Sequence, residues 1–312
     1  MTRKLAPGRG RLRSRREEGG NVRDRTQANV RGAHISVMTK EVLEALALAP
    51  GDIVVDATFG QGGHSRALEA SQKIRLISID SDPAAAAQGA IESNFGDLGT
   101  VLKKLDIKKV DKVLFDLGWN TGQLVSGRGF SFLHDEPLVM SYGARPRSGF
   151  VAADILNKWS EHVLADIIFG YGEERYARRI AKRIVERRQE QSFKTSLELA
   201  EVVRDAVPLA YRRGRIHPAT KTFQALRIAV NDELGALDSG LRAAWHSLST
   251  GGRIAVITFH SIEDRAVKRF FVALTKKVEG RVLYKKPLTP SMAEVKSNPA
   301  SRSAKLRAIE KI

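Results

Sequence analysis

Residues 56–64 of the chain read DATFGQGGH, and this stretch decides the fold class. Residues 52–58 (DIVVDAT) form the short apolar run expected of a buried strand, and a helix is predicted to begin near His64. Three glycines in four places let the backbone approach a ligand closely, because no Cβ stands in the way. The stretch therefore predicts a strand, a ligand-binding loop and a helix in succession.

Two further strands are predicted to end in an acid. Residues 73–80 (KIRLISID) end in Asp80, and residues 111–118 (DKVLFDLG) contain Asp116 near their end. Strands alternating with helices imply right-handed crossovers and a parallel sheet, in which ligands bind at the carboxyl ends of the strands. We expect both acids and the glycine loop at that edge.

Helical patterns interrupt the strands between about residues 125 and 208. Helices are predicted over 173–190 and 195–207, and an α/β pattern resumes with one helix over 220–237, a strand over 251–261, a helix over 262–274 and a last strand near the end. The chain thus divides into a disordered basic arm (1–31), a discontinuous α/β domain (32–124 and 209–312) and an inserted helical domain (125–208).

The net charge of +17 is concentrated at the two ends. Residues 1–31 hold ten Lys/Arg against three acids, residues 265–312 hold thirteen against three, and the middle sums to zero. Basic ends on a balanced body fit an electrostatic grip on a phosphate backbone. For the first arm, general solubility or an Arg-rich transit peptide remain alternatives.

Several classes of protein and site are disfavoured by what the sequence lacks. The longest apolar runs are too short to span a bilayer, and no apolar segment follows the basic start, so we expect a cytoplasmic protein without membrane contact. Cysteine is absent, which removes disulfides and thiolate metal sites. The seven histidines form no pair at metal-ligand spacing, so no metal is expected.

The glycine loop has several candidate ligands. It lacks the Gly-x-x-x-x-Gly-Lys-Ser/Thr string of nucleoside triphosphate sites, and Ser65 stands where a dinucleotide loop would carry its third glycine. S-adenosylmethionine needs close backbone approach together with carboxylates for its ribose and cationic groups, and the loop, Asp56 and Asp80 offer that set. A tight turn without a ligand remains the alternative.

The end of the third strand, DLGWNTGQL (116–124), is where chemistry is expected. Methylation of an exocyclic amine needs acceptors that orient the nitrogen lone pair, and Asp116 and Asn120 carry side-chain oxygens. Trp119 is placed either to stack on an extruded base or to cover the sheet edge. His260 follows a later strand and either faces the cleft or caps a helix. Without a cysteine nucleophile, methyl transfer should go to nitrogen or oxygen rather than to carbon.

These motifs together resemble a known family. HISVMTKEVLEAL (34–46), DATFGQGGHSRAL (56–68), ISIDSDP (77–83), RGFSF (128–132), YGEERYARRIAKRIVERR (171–188), HPATKTFQALRIAVNDEL (217–234), GGRIAVITFHSIEDRAVKRFF (251–271) and NPASRSAKLRAIEK (298–311) resemble the RsmH (MraW) family of 16S ribosomal RNA cytosine-N4 methyltransferases. The resemblance extends from His34 to the end. It implies a Rossmann-like, S-adenosylmethionine-dependent methyltransferase domain interrupted by a helical substrate domain, acting on the decoding centre of the small ribosomal subunit. By motif position, it implies cofactor contacts at Gly62, Gly63, His64, Asp80, Phe95, Asp116 and Gln123.

The chain departs from the family pattern in three places. DLGWNTGQL replaces a family Asp-Leu-Gly-Val-Ser-Ser-Pro-Gln-Leu, and Glu136, Val139 and Ser141 replace a glycine, an acid and an arginine. Only twelve residues separate Asp82 from Phe95, which predicts either a missing strand or a rearranged sheet. Two functions follow: an active RNA methyltransferase, or a non-catalytic ribosome-assembly factor that retains the fold. A nucleotide-dependent oxidoreductase is a more distant alternative.

Overall fold

A computed structural model describes residues 35–118, 123 and 126–312. The strands are β1 (Ile53–Asp56), β2 (Arg75–Asp80), β3 (Ile91–Glu92), β4 (Val110–Asp116), β5 (Leu248–Thr258), β6 (Gly280–Val282) and β7 (Lys305–Lys311). The helices are α1 (Thr39–Leu46), α2 (Gly63–Ser71), α3 (Pro83–Ala86), α4 (Leu98–Lys104), α5 (Ala152–Lys158), α6 (Glu161–Gly172), α7 (Ala177–Glu190), α8 (Ser196–Ala206), α9 (Leu209–Arg212), α10 (Thr220–Asn231), α11 (Glu233–Ser247), α12 (Ser261–Lys276) and α13 (Met292–Ser297). Short 3-10 turns span Phe95–Asp97 and Pro299–Ser303.

The seven strands form one sheet in the order β3-β2-β1-β4-β5-β7-β6. β1 pairs in parallel with β2 and β4, and the parallel set continues to β3 on one side and β5 on the other. Only β7 runs against its neighbours β5 and β6. The predicted α/β class is therefore confirmed, and the direction of strand addition reverses between β1 and β4, where a crevice opens.

Alternate residues of each central strand enter different cores. Val55 and Phe115 pack with α4, α11 and α12 on one face, whereas Val54 and Leu114 pack with α1 and α2 on the other. This division follows from the two-residue period of a strand, and covering both faces explains why the strands read as continuous apolar runs. A third, helical core gathers buried residues from Leu138 to Val230.

The segment between β2 and the first 3-10 turn keeps its strand. The prediction of a missing strand or a rearranged sheet was wrong, because β3 is present and pairs in parallel with β2. The segment is short because its crossover helix α3 is a single turn. This helix begins at Pro83, and Asp82 Oδ1 caps it by accepting from the Ala84 N–H at 3.1 Å. A one-turn helix fits the short segment without changing the strand order.

The helix predicted over 220–237 is two helices. Asp232 lies between α10 and α11 with φ +46°, a left-handed conformation that ends one helix and starts the next. Residues before the break, such as Phe223 and Val230, join the helical core, whereas Leu237 and Leu241 join a sheet core. The apolar stripe is continuous in sequence, but it serves two different cores.

The remaining predicted elements lie close to their expected bounds. Helix α8 begins after Thr195, whose N–H donates to Glu198 Oε2 at 3.1 Å in a capping box. The short strand β6 carries no pattern that predicted it. The basic arm (1–31) lies outside the described residues, and the division at 125 and 208 stays a prediction. No helix in the described ranges is both long and apolar enough to cross a membrane.

Gly240 of α11 positions a site residue, and its substitution gives a test of the packing. A Cβ at Gly240 would lie 2.9 Å from the Phe95 carbonyl oxygen and 3.2 Å from the Phe95 ring. We expect Gly240→Ala to lower the free energy of unfolding by about 1–3 kcal/mol through overpacking, although alanine normally favours a helix. Urea unfolding measures this change.

Gly99 of α4 is the matched control for Gly240. A Cβ there would meet only Ala243, at an ordinary 3.5 Å. Gly99→Ala should therefore raise the free energy of unfolding by up to about 1 kcal/mol. Equal effects of the two substitutions would contradict the close approach of α11 to Phe95.

Candidate active site

The cleft lies at the carboxyl ends of β1, β2 and β4. It has a volume of about 310 Å³ and is lined by parts of the glycine loop, the strand ends and three helices. Asp80 and Asp116, which the sequence placed at one edge, both line it. A more open, polar depression of about 610 Å³ adjoins the cleft at Gly60 and Gln61 and contains neither acid. The deeper cleft is therefore the candidate active site.

The glycine loop is tied to the second strand by its own backbone. The Gly60 N–H donates to Asp80 Oδ2 at 2.7 Å, and Gly60 and Gly62 have φ of +56° and +72°. A Cβ at Gly62 would lie 2.6 Å from the Phe59 ring. Of the predicted loop contacts, Gly63 and His64 line the cleft, whereas Gly62 shapes the turn without lining it.

Asp56 has a different role from the one expected. The sequence suggested that its carboxylate would approach a cationic cofactor group, but Asp56 is fully buried and does not line the cleft. It accepts hydrogen bonds from Ser65 Oγ at 2.7 Å and from the Thr58 N–H at 3.2 Å. Burial raises the pKa of Asp56, partly offset by His64 and these donors. Asp56 therefore fixes the start of α2 from beneath the loop.

Asp80 faces the cleft with both oxygens held by backbone donors. Oδ2 accepts from Gly60, and Oδ1 accepts from the Asp82 N–H at 2.8 Å. Burial raises the pKa of Asp80, and the backbone donors partly offset that rise. Each oxygen keeps a second lone pair, so a fixed carboxylate is available to a hydroxyl donor in the cleft.

His64 and Asp116 form a close pair at the centre of the site. His64 Nε2 lies 3.3 Å from Asp116 Oδ2, and the His64 side chain is only 5% exposed. Neither ring nitrogen of His64 nor Asp116 Oδ1 makes a hydrogen bond with the described residues. Burial lowers the pKa of His64, but the charges of Asp116 and Asp56 outweigh it and raise the pKa above its ordinary value. Such buried polar atoms without partners mark a place where a ligand completes the site.

Two other predicted contacts line the same cleft. Phe95 lies on the 3-10 turn after β3 and packs edge-on against Phe115 with ring centroids 5.9 Å apart. Gln123 is 5% exposed and also faces the cleft. Asn120 and Trp119 lie outside the described residues, so their expected roles stay predictions.

A polar wall of five residues completes the cleft, and only its histidine was singled out from the sequence. We call this set the polar wall: Tyr142, Arg227, Glu233, His260 and Glu263. Arg227 donates to both oxygens of Glu233, at 2.8 and 3.1 Å, and the Tyr142 hydroxyl donates to Glu233 Oε1 at 3.1 Å. Burial raises the pKa of Tyr142 well above its usual range, so the hydroxyl remains a donor.

His260 both caps a helix and faces the cleft, so the two roles weighed for it coexist. Its Nδ1 accepts from the Glu263 N–H at 3.4 Å at the start of α12, and Nε2 lies 3.1 Å from Glu263 Oε1 without forming a hydrogen bond. Glu263 Oε2 accepts from the Phe259 N–H at 3.0 Å. Burial alone raises the pKa of Glu263, but His260, Arg227 and backbone donors outweigh it and lower the pKa.

One group in the described part of the chain has the composition of a metal site. Ligand atoms of Glu233, His260 and Glu263 all lie within 4.8 Å of one another. Both oxygens of Glu233 already accept from Arg227, whose guanidinium occupies the position of a countercharge. A divalent ion would have to compete with that cation, so the expectation of no metal is kept as a prediction.

The departures from the family pattern that can be located are absorbed by packing. Glu136 is buried, and its Oε2 accepts from the Gly129 N–H at 2.8 Å. Ser141 is also buried and donates to the Gly143 carbonyl at 2.8 Å. Neither residue lines the cleft.

A family model and similar curated proteins both assign the chain to one family. The model of the MraW methylase family matches residues 31–312. Proteins named ribosomal RNA small subunit methyltransferase H from Methylocella silvestris, Methylobacterium nodulans and Heliobacterium mobile are 45%, 46% and 43% identical to the chain. These alignments cover 88%, 89% and 89% of the chain and 86%, 90% and 99% of the respective relatives.

The raised pKa of His64 predicts a pH dependence of stability. A histidine whose folded pKa exceeds its unfolded value of about 6.5 stabilises the fold below that pH, and this contribution is lost as pH rises through the folded pKa. The free energy of unfolding should therefore fall as the pH rises from about 6.5 through the folded pKa of His64, and His64→Gln should flatten that decline. No thiol titrates in this window, because the chain has no cysteine.

Urea unfolding at a series of pH values measures the effect. The control is His246→Gln, because His246 is an exposed histidine of α11. This substitution should leave the decline as in the wild type. An unchanged slope in His64→Gln would show that the pair with Asp116 does not set the pH dependence.

Proposed function

Because the chain belongs to the MraW methylase family, we propose that it transfers a methyl group from S-adenosylmethionine to the N4 amine of a cytosine in 16S ribosomal RNA. The relatives named above are small-subunit ribosomal RNA methyltransferases, and the decoding centre is the target that the family resemblance implies. The observation that carries the proposal is Asp116, a carboxylate in the cleft beside the glycine loop, with one buried oxygen that has no hydrogen-bond partner in the described part of the chain.

The cleft fits this cofactor in its donor set and in its shape. Asp80 offers oxygens to ribose hydroxyls, and the ring of Phe95 lies on the turn after β3, where the resemblance places the adenine. Gly63 lets Ser36 pack directly against the loop at the edge of the cleft, since a Cβ there would collide with Ser36 Oγ. His64, Asp116 and Gln123 would complete the contacts.

The cofactor would supply a methyl carbon on a cationic sulfur. The amine lone pair would form the new N–C bond, the C–S bonding pair would remain with the sulfur, and the proton lost by the amine would pass to solvent. The role of the protein's own residues is to orient the amine. Asp116 Oδ1 accepts no hydrogen bond from the described residues, so it could accept an N–H of the amine and turn the lone pair away from the carboxylate, while His64 Nε2 lies 3.3 Å from the other oxygen. A fixed acceptor also stabilises the charge that grows on the amine nitrogen.

The basic end of the chain supports a polyanionic substrate. Residues 265–312 carry thirteen Lys/Arg against three acids, and this segment includes α12, which begins beside the cleft. Charges on that segment would neutralise phosphates of the RNA that surrounds the target base.

A transfer assay tests the proposed function. The protein is incubated with methyl-labelled S-adenosylmethionine and unmodified small ribosomal subunits, and the modified nucleotide is mapped by mass spectrometry. Label at the N4 of one cytosine is the expected result. Calorimetric binding of the cofactor without any label would instead favour the non-catalytic assembly factor.

Asp116→Asn is the sharpest single substitution for this mechanism. It keeps the size of the side chain but removes the carboxylate that faces the amine and pairs with His64. We expect kcat/KM for methyl transfer to fall by about 100-fold or more, the scale of losing one preorganised electrostatic contact.

The control for Asp116→Asn is Asp238→Asn. Asp238 lies on α11 with a side chain 56% exposed and pairs with Arg242. This variant should retain wild-type transfer. Wild-type transfer by Asp116→Asn would remove the central role assigned to its carboxylate.

A further inference from the structure

His260 presents a hydrogen-bond donor to the cleft that nothing in the described residues uses. Its Nδ1 accepts from the Glu263 N–H, which leaves the proton of the neutral ring on Nε2. That Nε2 is buried and makes no hydrogen bond with the described residues, although Glu263 Oε1 is near. A donor in this state is oriented before any ligand arrives.

The other polar side chains of the wall are already engaged. Arg227 and Tyr142 donate to Glu233, and Glu263 accepts from the backbone of the α12 start. Two N–H groups of Arg227 are thus held by the carboxylate of Glu233. Among the described residues, His260 Nε2 is the buried donor of the wall that has no hydrogen-bond partner.

This donor and the acceptor of Asp116 lie on adjacent strand ends. Asp116 pairs with Ile257 in the β4–β5 ladder, and His260 follows Ile257 by three residues. The ring of Phe259 packs against Gly118, where a Cβ would lie 3.2 Å from it, so the two chain segments remain in contact beyond the ladder. Both side chains line one cleft.

The start of α12 is fixed from a second side. Ser261 Oγ and Arg265 Nη2 each donate to Glu173 at 2.5 Å, and Glu173 ends α6 of the helical core. His260 is therefore held between the sheet and the helices, which limits the positions that its ring can adopt.

We propose that His260 Nε2–H donates to the ring nitrogen beside the target amine, so that Asp116 and His260 together recognise the amine and N3 of cytosine. This inference rests on the proposed function and names a base-recognition residue for it. Uracil presents an oxygen in place of the amine and an N–H at position 3, so both contacts would be reversed. A site that matches one pattern rejects the other strongly, because its buried groups are then left unpaired.

Free nucleosides test the recognition without turnover. The wild-type protein is saturated with S-adenosylhomocysteine, and binding of cytidine and of uridine is followed by NMR. We expect cytidine to bind about tenfold or more tightly than uridine, and His260→Asn to remove most of that preference. Equal binding of the two nucleosides by the wild type overturns the proposal, even if methyl transfer occurs.

His260→Asn separates recognition from helix capping. Asparagine is itself a strong N-cap, so α12 should keep its start and the protein its stability, whereas the Nε2 donor is lost. We expect kcat/KM for methyl transfer to small subunits to fall by about 10- to 100-fold, with unchanged affinity for S-adenosylhomocysteine and an unchanged Tm.

The control is Ser160→Asn, a cap exchange at the start of α6, away from the cleft, where the Ser160 side chain accepts from the Val163 N–H. This variant should behave as wild type. A His260→Asn protein with wild-type transfer, or one that loses Tm or cofactor affinity, overturns the donor role.

Two further outcomes distinguish a failure of this inference from a failure of the proposed function. An inactive wild type that still prefers cytidine keeps the inference and defeats the proposed function. Binding of a divalent cation by the RNA-free wild type, lost in His260→Asn, would assign Glu233, His260 and Glu263 to a metal and overturn the inference.

Discussion

The structure depends on the reversal of strand order between β1 and β4. The crossovers from β1 and from β4 lead to opposite sides of the sheet. A crevice is therefore left at the carboxyl ends of these two strands. Asp80 and Asp116 reach the cleft because they end strands there, and the glycine loop reaches it because it leaves β1 there. The strand order alone creates this opening, and the side chains around it determine which chemistry it can support.

Buried charge in this cleft is organised rather than avoided. Removing ions from water costs several kcal/mol each unless partners compensate them. Arg227 and Glu233 compensate each other with two hydrogen bonds, and His64 lies between Asp116 and Asp56. Among the described residues, the buried atoms without hydrogen-bond partners that line the cleft belong to His64, Asp116 and His260, and they therefore point to ligand contacts.

Local sequence patterns predicted β1, β2, β4, β5 and β7, the glycine loop, and the placement of Asp80 and Asp116 at one cleft, because each of these is set by neighbouring residues. They were insufficient where distant segments decide. The break at Asp232 was missed, because an unbroken apolar stripe hides the fact that its two halves face different cores. Asp56 was predicted to contact the ligand, but it is buried and accepts a hydrogen bond from Ser65 of α2. The sequence alone does not reveal that burial. The polar wall combines residues 142, 227, 233, 260 and 263, which share no spacing, and only His260 drew notice by following a strand.

The left-handed backbone conformation of Asp232 determines how the two neighbouring helices are joined. Helix α10 belongs to the helical core, α11 carries the glycine that Phe95 rests against, and the ion pair of Arg227 with Glu233 spans the bend between them. The bend thus fixes the junction between the helical core and a sheet core, and the ion pair that spans it lines the cleft. Separating such a buried pair is costly, because each partner would be left as an uncompensated charge.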